Sequence, residues 1–318
     1  MTSPTQTQST KQDTNVNSSF RRFFSRLTWG DAVVFVILIM LLVSILFPFW
    51  WVLRTALTSP NKVFTDTSSL LPVEATIFNF ERVLGLVDPS EIVGTESTNI
   101  SAGTINFWIF MRNSFIFSLL ITVGQTVFST MAAYAFARFK FPFRDQIFFA
   151  YLTGLMVPGI VLFIPNFVTI RELGLIGTMA GLVAPFFLMT PFAVFFMRQF
   201  FLNLNRDIEE AATLDGATKF GIFWRISLPL IQGPILTLAI LTFIQSWNEY
   251  LWPLLVGRDE SIRVLTVALA IFRQQTPQGA PDWAGLMAGT TVAIIPTVAI
   301  FIFFGRKVVD SIQFSGFK

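Results

Sequence analysis

Long apolar runs separated by short polar segments set the pattern of this chain. Measured against the roughly 20 residues a helix needs to cross a bilayer, six runs qualify, near residues 31–53, 109–137, 146–170, 178–200, 232–256 and 284–304. Only helices and closed barrels satisfy their backbone within lipid, so the pattern predicts an all-α integral membrane protein with six transmembrane helices. Pro158 and Pro165 interrupt the third run, and Pro185 and Pro191 the fourth, so kinks or short breaks are expected there. Residues 1–19 are rich in Ser, Thr, Gln and Asn and have too few apolar groups for a core, which predicts a disordered tail. The next segment, 20–30, opens with Phe20-Arg21-Arg22-Phe23-Phe24-Ser25-Arg26-Leu27 and reads as an interfacial anchor. The first apolar run is long, starts late and lacks a small-residue cleavage pattern, so it is expected to stay in the membrane.

Composition sharpens this picture. Charged residues make up 13% of the chain and hydrophobic residues 53%, with a mean hydropathy of +0.65. Soluble domains carry about 25% charged residues, so lipid is the expected solvent for most of this chain. The absence of Cys and His excludes disulfides, thiolate metal sites and imidazole bases. No catalytic or metal-ligating residues are expected.

Charge placement sets an orientation, because Lys and Arg are retained on the cytoplasmic side of short loops. Lys11, Arg21, Arg22 and Arg26 precede the first span; Arg138, Lys140 and Arg144 join the second and third. Arg198, Arg206, Lys219 and Arg225 join the fourth and fifth, and Arg306, Lys307 and Lys318 close the chain. All fall on one side. The opposite side is richer in carboxylates, among them Asp66, Glu74, Glu81, Asp259, Glu260 and Asp282. Both termini are therefore expected in the cytoplasm and residues 54–108 outside, where turn formers and short apolar clusters predict a small folded cap. Topology also accounts for the basic pI, so nucleic-acid binding is not invoked. Asn99-Ile100-Ser101 fits a glycosylation pattern that arises often by chance, and it is assigned no role.

The cytoplasmic segment 201–230 carries the most specific motif. Asp207, with Glu210 three residues on, is expected to cap a short helix beginning near Ile208, where acidic groups suit the positive end of the helix dipole. Ala211, Ala212 and Ala217 allow that helix to sit deep in a partner's cleft. Gly216 supplies a backbone turn that other residues enter at a cost. Leu228-Pro229 and Pro234 end the segment and start the fifth span.

Glu210-Ala211-Ala212-Thr213-Leu214-Asp215-Gly216-Ala217, followed by Leu228-Pro229, resembles the EAA loop of the permease subunits of binding-protein-dependent ABC importers. Arg112-Asn113-Ser114, Met156-Val157-Pro158, Ile164-Pro165 and Trp247-Asn248-Glu249 with Pro253 extend the likeness to nearly the whole chain and to the sugar-importing subfamily, most closely its maltose-type second permease subunit. The resemblance implies a type I importer fold, with 31–318 as the permease domain in a bacterial inner membrane. It also implies a homologous second permease, two ATPase subunits that use Mg-ATP, and an extracytoplasmic solute-binding protein. Glu210 and Gly216 would couple to the ATPase, with Ala211, Ala212, Asp215 and Ala217 shaping the contact. This chain would bind no cofactor itself. Its terminal Ser315-Gly316-Phe317-Lys318 departs from the Gly- and Ala-rich ending of the family, whose tail enters the ATPase dimer.

The fifth run offers pathway candidates. At 100° per residue Thr242, Gln245, Ser246 and Glu249 share one stripe of an otherwise apolar helix. Polar groups inside a membrane face a cavity or another helix. Gln245 and Glu249 are candidates for hydrogen bonds to sugar hydroxyls, with Trp247 or Trp252 as stacking surfaces; interhelix packing competes evenly for Gln245 and is favoured for Asn248. Trp252 reads more readily as an interfacial anchor than as a sugar platform. Gly285 and Gly289 form a small-xxx-small pair for close helix packing. Gly216-Ala217-Thr218-Lys219 fails the spacing of a phosphate-binding loop. Sugars or polyols are the expected cargo, with glycerol phosphate-type solutes as the alternative. A secondary transporter would explain the spans but give the 201–230 loop no purpose.

Overall fold

The computed structural model describes residues 28–87, 106–271 and 281–313, apart from the side chains of 271 and 308–313. The amino-terminal tail, most of the interfacial anchor, Asn99-Ile100-Ser101 and the last five residues lie outside that range. The chain forms two compact units, Met1–Arg54 and Thr55–Lys318.

The described part of the first unit belongs to α1, Trp29–Ala56. Thr28 and Asp31 start it reciprocally: the Asp31 carboxylate accepts from the Thr28 N–H at 2.9 Å, and the Thr28 hydroxyl accepts from the Asp31 N–H at 3.3 Å. Its 28 residues extend about 42 Å at 1.5 Å per residue, more than a hydrocarbon core. Val33 through Phe47 present apolar side chains all round, nearly all exposed, as a helix solvated by lipid does.

The second unit is all helical among its described residues. After a short α2 (Phe78–Val83) come α3 (Phe107–Arg138), α4 (Arg144–Met156), α5 (Gly159–Glu172), α6 (Met179–Phe186) and α7 (Pro191–Asn203). Then follow α8 (Arg206–Leu214), α9 (Lys219–Leu230), α10 (Gln232–Trp247), α11 (Leu251–Val256), α12 (Leu265–Ile271) and α13 (Trp283–Gln313). Among the described residues, three single helices, α1, α3 and α13, are long and apolar enough to span a membrane; with each of three bent pairs taken as one span the number is six.

The bends fall in the two runs, 146–170 and 178–200, where the prolines predicted kinks or breaks. Between α4 and α5 the axis turns by 97° at Val157-Pro158, and between α6 and α7 by 51°. Pro158 has no N–H to continue a helix. Pro191 opens α7 behind a Thr190 cap whose side chain accepts from the Ala193 N–H. The expected fifth helix at 232–256 is also broken: α10 ends at Trp247, and Asn248–Tyr250 are non-helical before α11.

The long α3 organises the unit. Ser114, Ser118, Thr122, Thr126 and Thr130 recur every four residues as a buried stripe of small side chains, which brings neighbouring backbones close. Along its length α3 joins three apolar clusters. The first gathers Phe107 and Phe110 with Phe243, Leu265 and Ala288; the second Tyr134 with Phe148, Met197, Phe201 and Phe223; the third Phe117 and Ile121 with Leu182, Trp252 and Val264. Asn113 Nδ2 donates to the Ser261 and Arg263 carbonyls at 2.8 and 3.1 Å, and the Leu265 N–H donates to Ser114 Oγ at 2.7 Å. The Arg112-Asn113-Ser114 motif thus pins the entry to α12.

The segment between α1 and α3 is folded where it is described. Asn79 Nδ2 donates to the Ala56 and Thr58 carbonyls, both at 2.8 Å. Arg82 on α2 meets Asp282, just before α13, in a bidentate pair at 2.5 and 3.1 Å, with 3% and 0% of the two side chains exposed. A Cβ on Gly285 would lie 2.7 Å from the Arg82 guanidinium, and one on Gly289 would collide with Leu269. The small-xxx-small pair serves close packing.

Candidate functional site

Two regions concentrate the chemistry: the projection formed by α8 and the cavity between α3 and α10. At the projection, Asn205 rather than Asp207 is the cap, its Oδ1 accepting from the Asp207 N–H at 3.1 Å. Helix α8 therefore begins at Arg206, ahead of the expected start near Ile208, and Asp207 and Glu209 fill its first turn. At the other end the Ala217 N–H donates to the Ala212 carbonyl at 2.9 Å and the Gly216 N–H to Thr213 at 3.0 Å. This double closure needs a left-handed residue between, and Gly216 takes φ +85°. Thr218 then caps the return, accepting from the Gly221 N–H at 3.1 Å.

Glu210, Ala211, Asp215 and Gly216 are exposed, and Ala212 and Ala217 are half-buried. Leu214, Phe220, Trp224 and Ile208 are also exposed, so the projection is studded with apolar groups that the motif alone did not single out. Their signal was available: large apolar side chains in an otherwise polar loop between spans. The acidic residue that contacts the rest of the chain is Glu209. Its Oε1 accepts from Arg138 Nε at 3.0 Å and from Ser227 Oγ at 3.1 Å.

The second region is a cavity of about 410 Å³. It brings together the four pathway candidates Thr242, Gln245, Ser246 and Glu249 with Gln125 of α3 and the Phe186 and Phe192 rings. Thr242 is 5% exposed and donates to Gln125 Oε1 at 3.0 Å, so it ties α10 to α3. Gln245 is exposed at the cavity. Glu249 reaches the cavity from the break after α10, not from a helical stripe; its Oε1 accepts from the Trp252 N–H at 3.3 Å and its carbonyl from Thr266 Oγ1 at 2.8 Å. Asn248, favoured for interhelix packing, is exposed and bonds within its own segment, Nδ2 to the Ile244 carbonyl at 2.7 Å.

Two aromatic expectations are corrected. Trp252 is neither an interfacial anchor nor a platform: it is 1% exposed, donates from Nε1 to the Leu182 carbonyl at 3.1 Å, and packs edge-on against Phe163 and Phe186. Trp247 is likewise buried, stacked on Phe243 and donating to the Ala293 carbonyl. Gln125 was missed, although a lone Gln in the second apolar run was a legible signal.

Comparison with known proteins identifies the family. Residues 125–313 match the family described as binding-protein-dependent transport system inner membrane component. The arabinooligosaccharides transport system permease protein of Halalkalibacterium halodurans is 35% identical over 233 residues, covering 73% of this chain and 82% of that protein. The sn-glycerol-3-phosphate transport system permease protein of Yersinia pestis is 32% identical over 286 residues, covering 88% and 96%. A bacterial ABC transporter involved in the import of the acidic polysaccharide alginate contains a chain with the same fold. Its TM-score is 0.69 at 20% identity, covering 88% of this chain and 98% of that one. The chain, with its multiple apolar helices, belongs to the binding-protein-dependent inner membrane components, the permease subunits of ABC importers.

Proposed function

We propose that this chain lines half of the pathway for a neutral sugar or polyol, with a homologous second permease forming the other half. Two ATPase subunits, binding Mg-ATP, dock on the α8 projection through Glu210 and Gly216, with Ala211, Ala212, Asp215 and Ala217 fitting the contact. An extracytoplasmic solute-binding protein delivers the cargo on the side of residues 54–108, and both termini lie in the cytoplasm. Closure of the motor on ATP moves the projections and turns the pathway outward; hydrolysis resets it.

The observation that carries the cargo class is the lining of the α3–α10 cavity. It offers amides, hydroxyls, the Glu249 carboxylate and aromatic walls and, among the described residues, no Lys or Arg. Amide and carboxylate groups match the alternating donors and acceptors of sugar hydroxyls. A phosphate dianion would meet the Glu249 charge with no cation to offset it. The lining therefore favours the arabinooligosaccharide-type relative over the glycerol phosphate-type one as a guide. The test is uptake in proteoliposomes with the cognate binding protein, comparing a neutral oligosaccharide with glycerol 3-phosphate. Transport of the phosphate alone would overturn the cargo assignment.

A further inference from the structure

We propose that Glu209, not part of the docking surface itself, is the positioning residue that ties the ATPase-contacting helix at once to cavity-lining α3 and to α9, the lead-in to cavity-lining α10. The inference rests on docking at α8 and concerns what happens behind it. One carboxylate oxygen, Oε1, accepts from Arg138 Nε at 3.0 Å and from Ser227 Oγ at 3.1 Å. Arg138 is the last residue of α3, and Ser227 lies in α9, which leads into α10. Gln125 of α3 bonds to Thr242 of α10 at the cavity wall, and α10 follows α9 past a bend of 78°. Gln125 stands 13 residues before Arg138 on a continuous helix, about 20 Å away at 1.5 Å per residue.

Each end of the link is anchored. The Arg138 side chain is 5% exposed and that of Glu209 16%, and Arg138 Nη2 also donates to the Leu204 carbonyl at 2.9 Å, just ahead of α8. Ser227 is fully buried and closes a π-helical turn, Phe223–Ser227. Such a turn, rare in helices and frequent at functional sites, changes the register of α9 so that Ser227 reaches Glu209. Around it Tyr134, Phe201 and Phe223 pack ring against ring at 4.9 to 6.4 Å. A displacement of α8 is thus passed to α3 by a charged hydrogen bond and to the α10 lead-in by a second one on the same atom. Glu210 faces the motor while Glu209 faces the chain; adjacent helix positions point about 100° apart.

The test uses the whole complex in proteoliposomes with Glu209→Gln, Ser227→Ala, and the exchange of Arg138→Glu with Glu209→Arg. The expected result is that Glu209→Gln keeps the ATPase attached but lowers sugar uptake per ATP hydrolysed by about fivefold or more, that Ser227→Ala lowers it less, and that the charge exchange recovers much of the loss. Spin labels at Thr213→Cys and Met131→Cys give a second readout, clean in this Cys-free chain. With Glu209 their distance should stay constant between nucleotide-free and nucleotide-trapped states, and with Gln it should vary. Unchanged uptake per ATP in Glu209→Gln overturns the proposal. So does shedding of the ATPase by Glu209→Gln with no recovery in the exchange, which would make the pair a mere fold contact. An unaltered chain that purifies without any ATPase overturns the docking reading along with it.

Discussion

Substitutions at Gly216 separate two ways in which the projection can fail. The residue sits at φ +85°, and a Cβ built there meets nothing within 4 Å. A side chain at this position is opposed by its own backbone and not by neighbours in the chain. An L-residue held in the left-handed region costs about 1–2 kcal/mol. Asn and Asp enter that region several-fold more readily than other non-glycine residues, and a β-branched residue is a true outlier there. The expected order of damage is therefore Asn least, Ala intermediate and Val greatest. A loss of 1–2 kcal/mol lowers the population of the closed turn by a factor of about 5–30. Val should unwind the last turn of α8, where the Ala217 N–H and Gly216 N–H meet their carbonyls. The assay is ATPase activity and uptake of the purified complexes, normalised to permease inserted in the membrane. Gly216→Asn should retain most of both and Gly216→Val little of either. If Asn proves as damaging as Val, bulk against the ATPase decides the position and the backbone argument is wrong.

Three further outcomes rest on the same physical reading. Arg82→Ala leaves Asp282 buried without its guanidinium, which should cost about 3–5 kcal/mol in thermal unfolding; replacing both by apolar residues of similar volume should recover much of it, and a loss from Arg82→Ala close to zero would refute the buried-pair account. Asn61→Cys, at an exposed position, should react with a membrane-impermeant thiol reagent only from outside, whereas labelling only from the cytoplasm would invert the topology. Gln245→Ala and Glu249→Ala should leave the complex assembled while altering transport or substrate-stimulated ATPase. Dissociation of subunits by Glu249→Ala with a silent Gln245→Ala would make that wall an interface.

The membrane elements were legible because lipid imposes one demand on every residue of a span, and α1, α3 and α13 meet it over candidate spans of 28, 32 and 25 residues. The breaks were less legible. Pro158 announced an interruption, but a 97° turn depends on what α4 and α5 pack against, which no local pattern encodes. Glu249 shows the limit of helical periodicity: the helix ends at Trp247, so Glu249 is not on the helical stripe, and it lines the cavity from the non-helical break. Trp252 lost its interfacial reading because its partners, the Leu182 carbonyl and two phenylalanine rings, come from helices far away in sequence. At the projection the motif pointed to Glu210 and Gly216, whereas Asn205 and Glu209 acquire their roles from a backbone N–H and a distant arginine. Contacts over 71 residues, as between Arg138 and Glu209, are not written in spacing.

The most direct measurement of the central claim is co-purification of the ATPase with a double variant of the projection, Glu210→Lys with Gly216→Val. Removing one partner of a desolvated charged contact costs about 2–5 kcal/mol, and the backbone strain at Gly216 adds to it. The double variant should insert in the membrane as the unaltered chain does, yet lose the ATPase and abolish uptake. A double variant that retains both the ATPase and normal uptake would contradict the assignment of α8 as the joint with the motor.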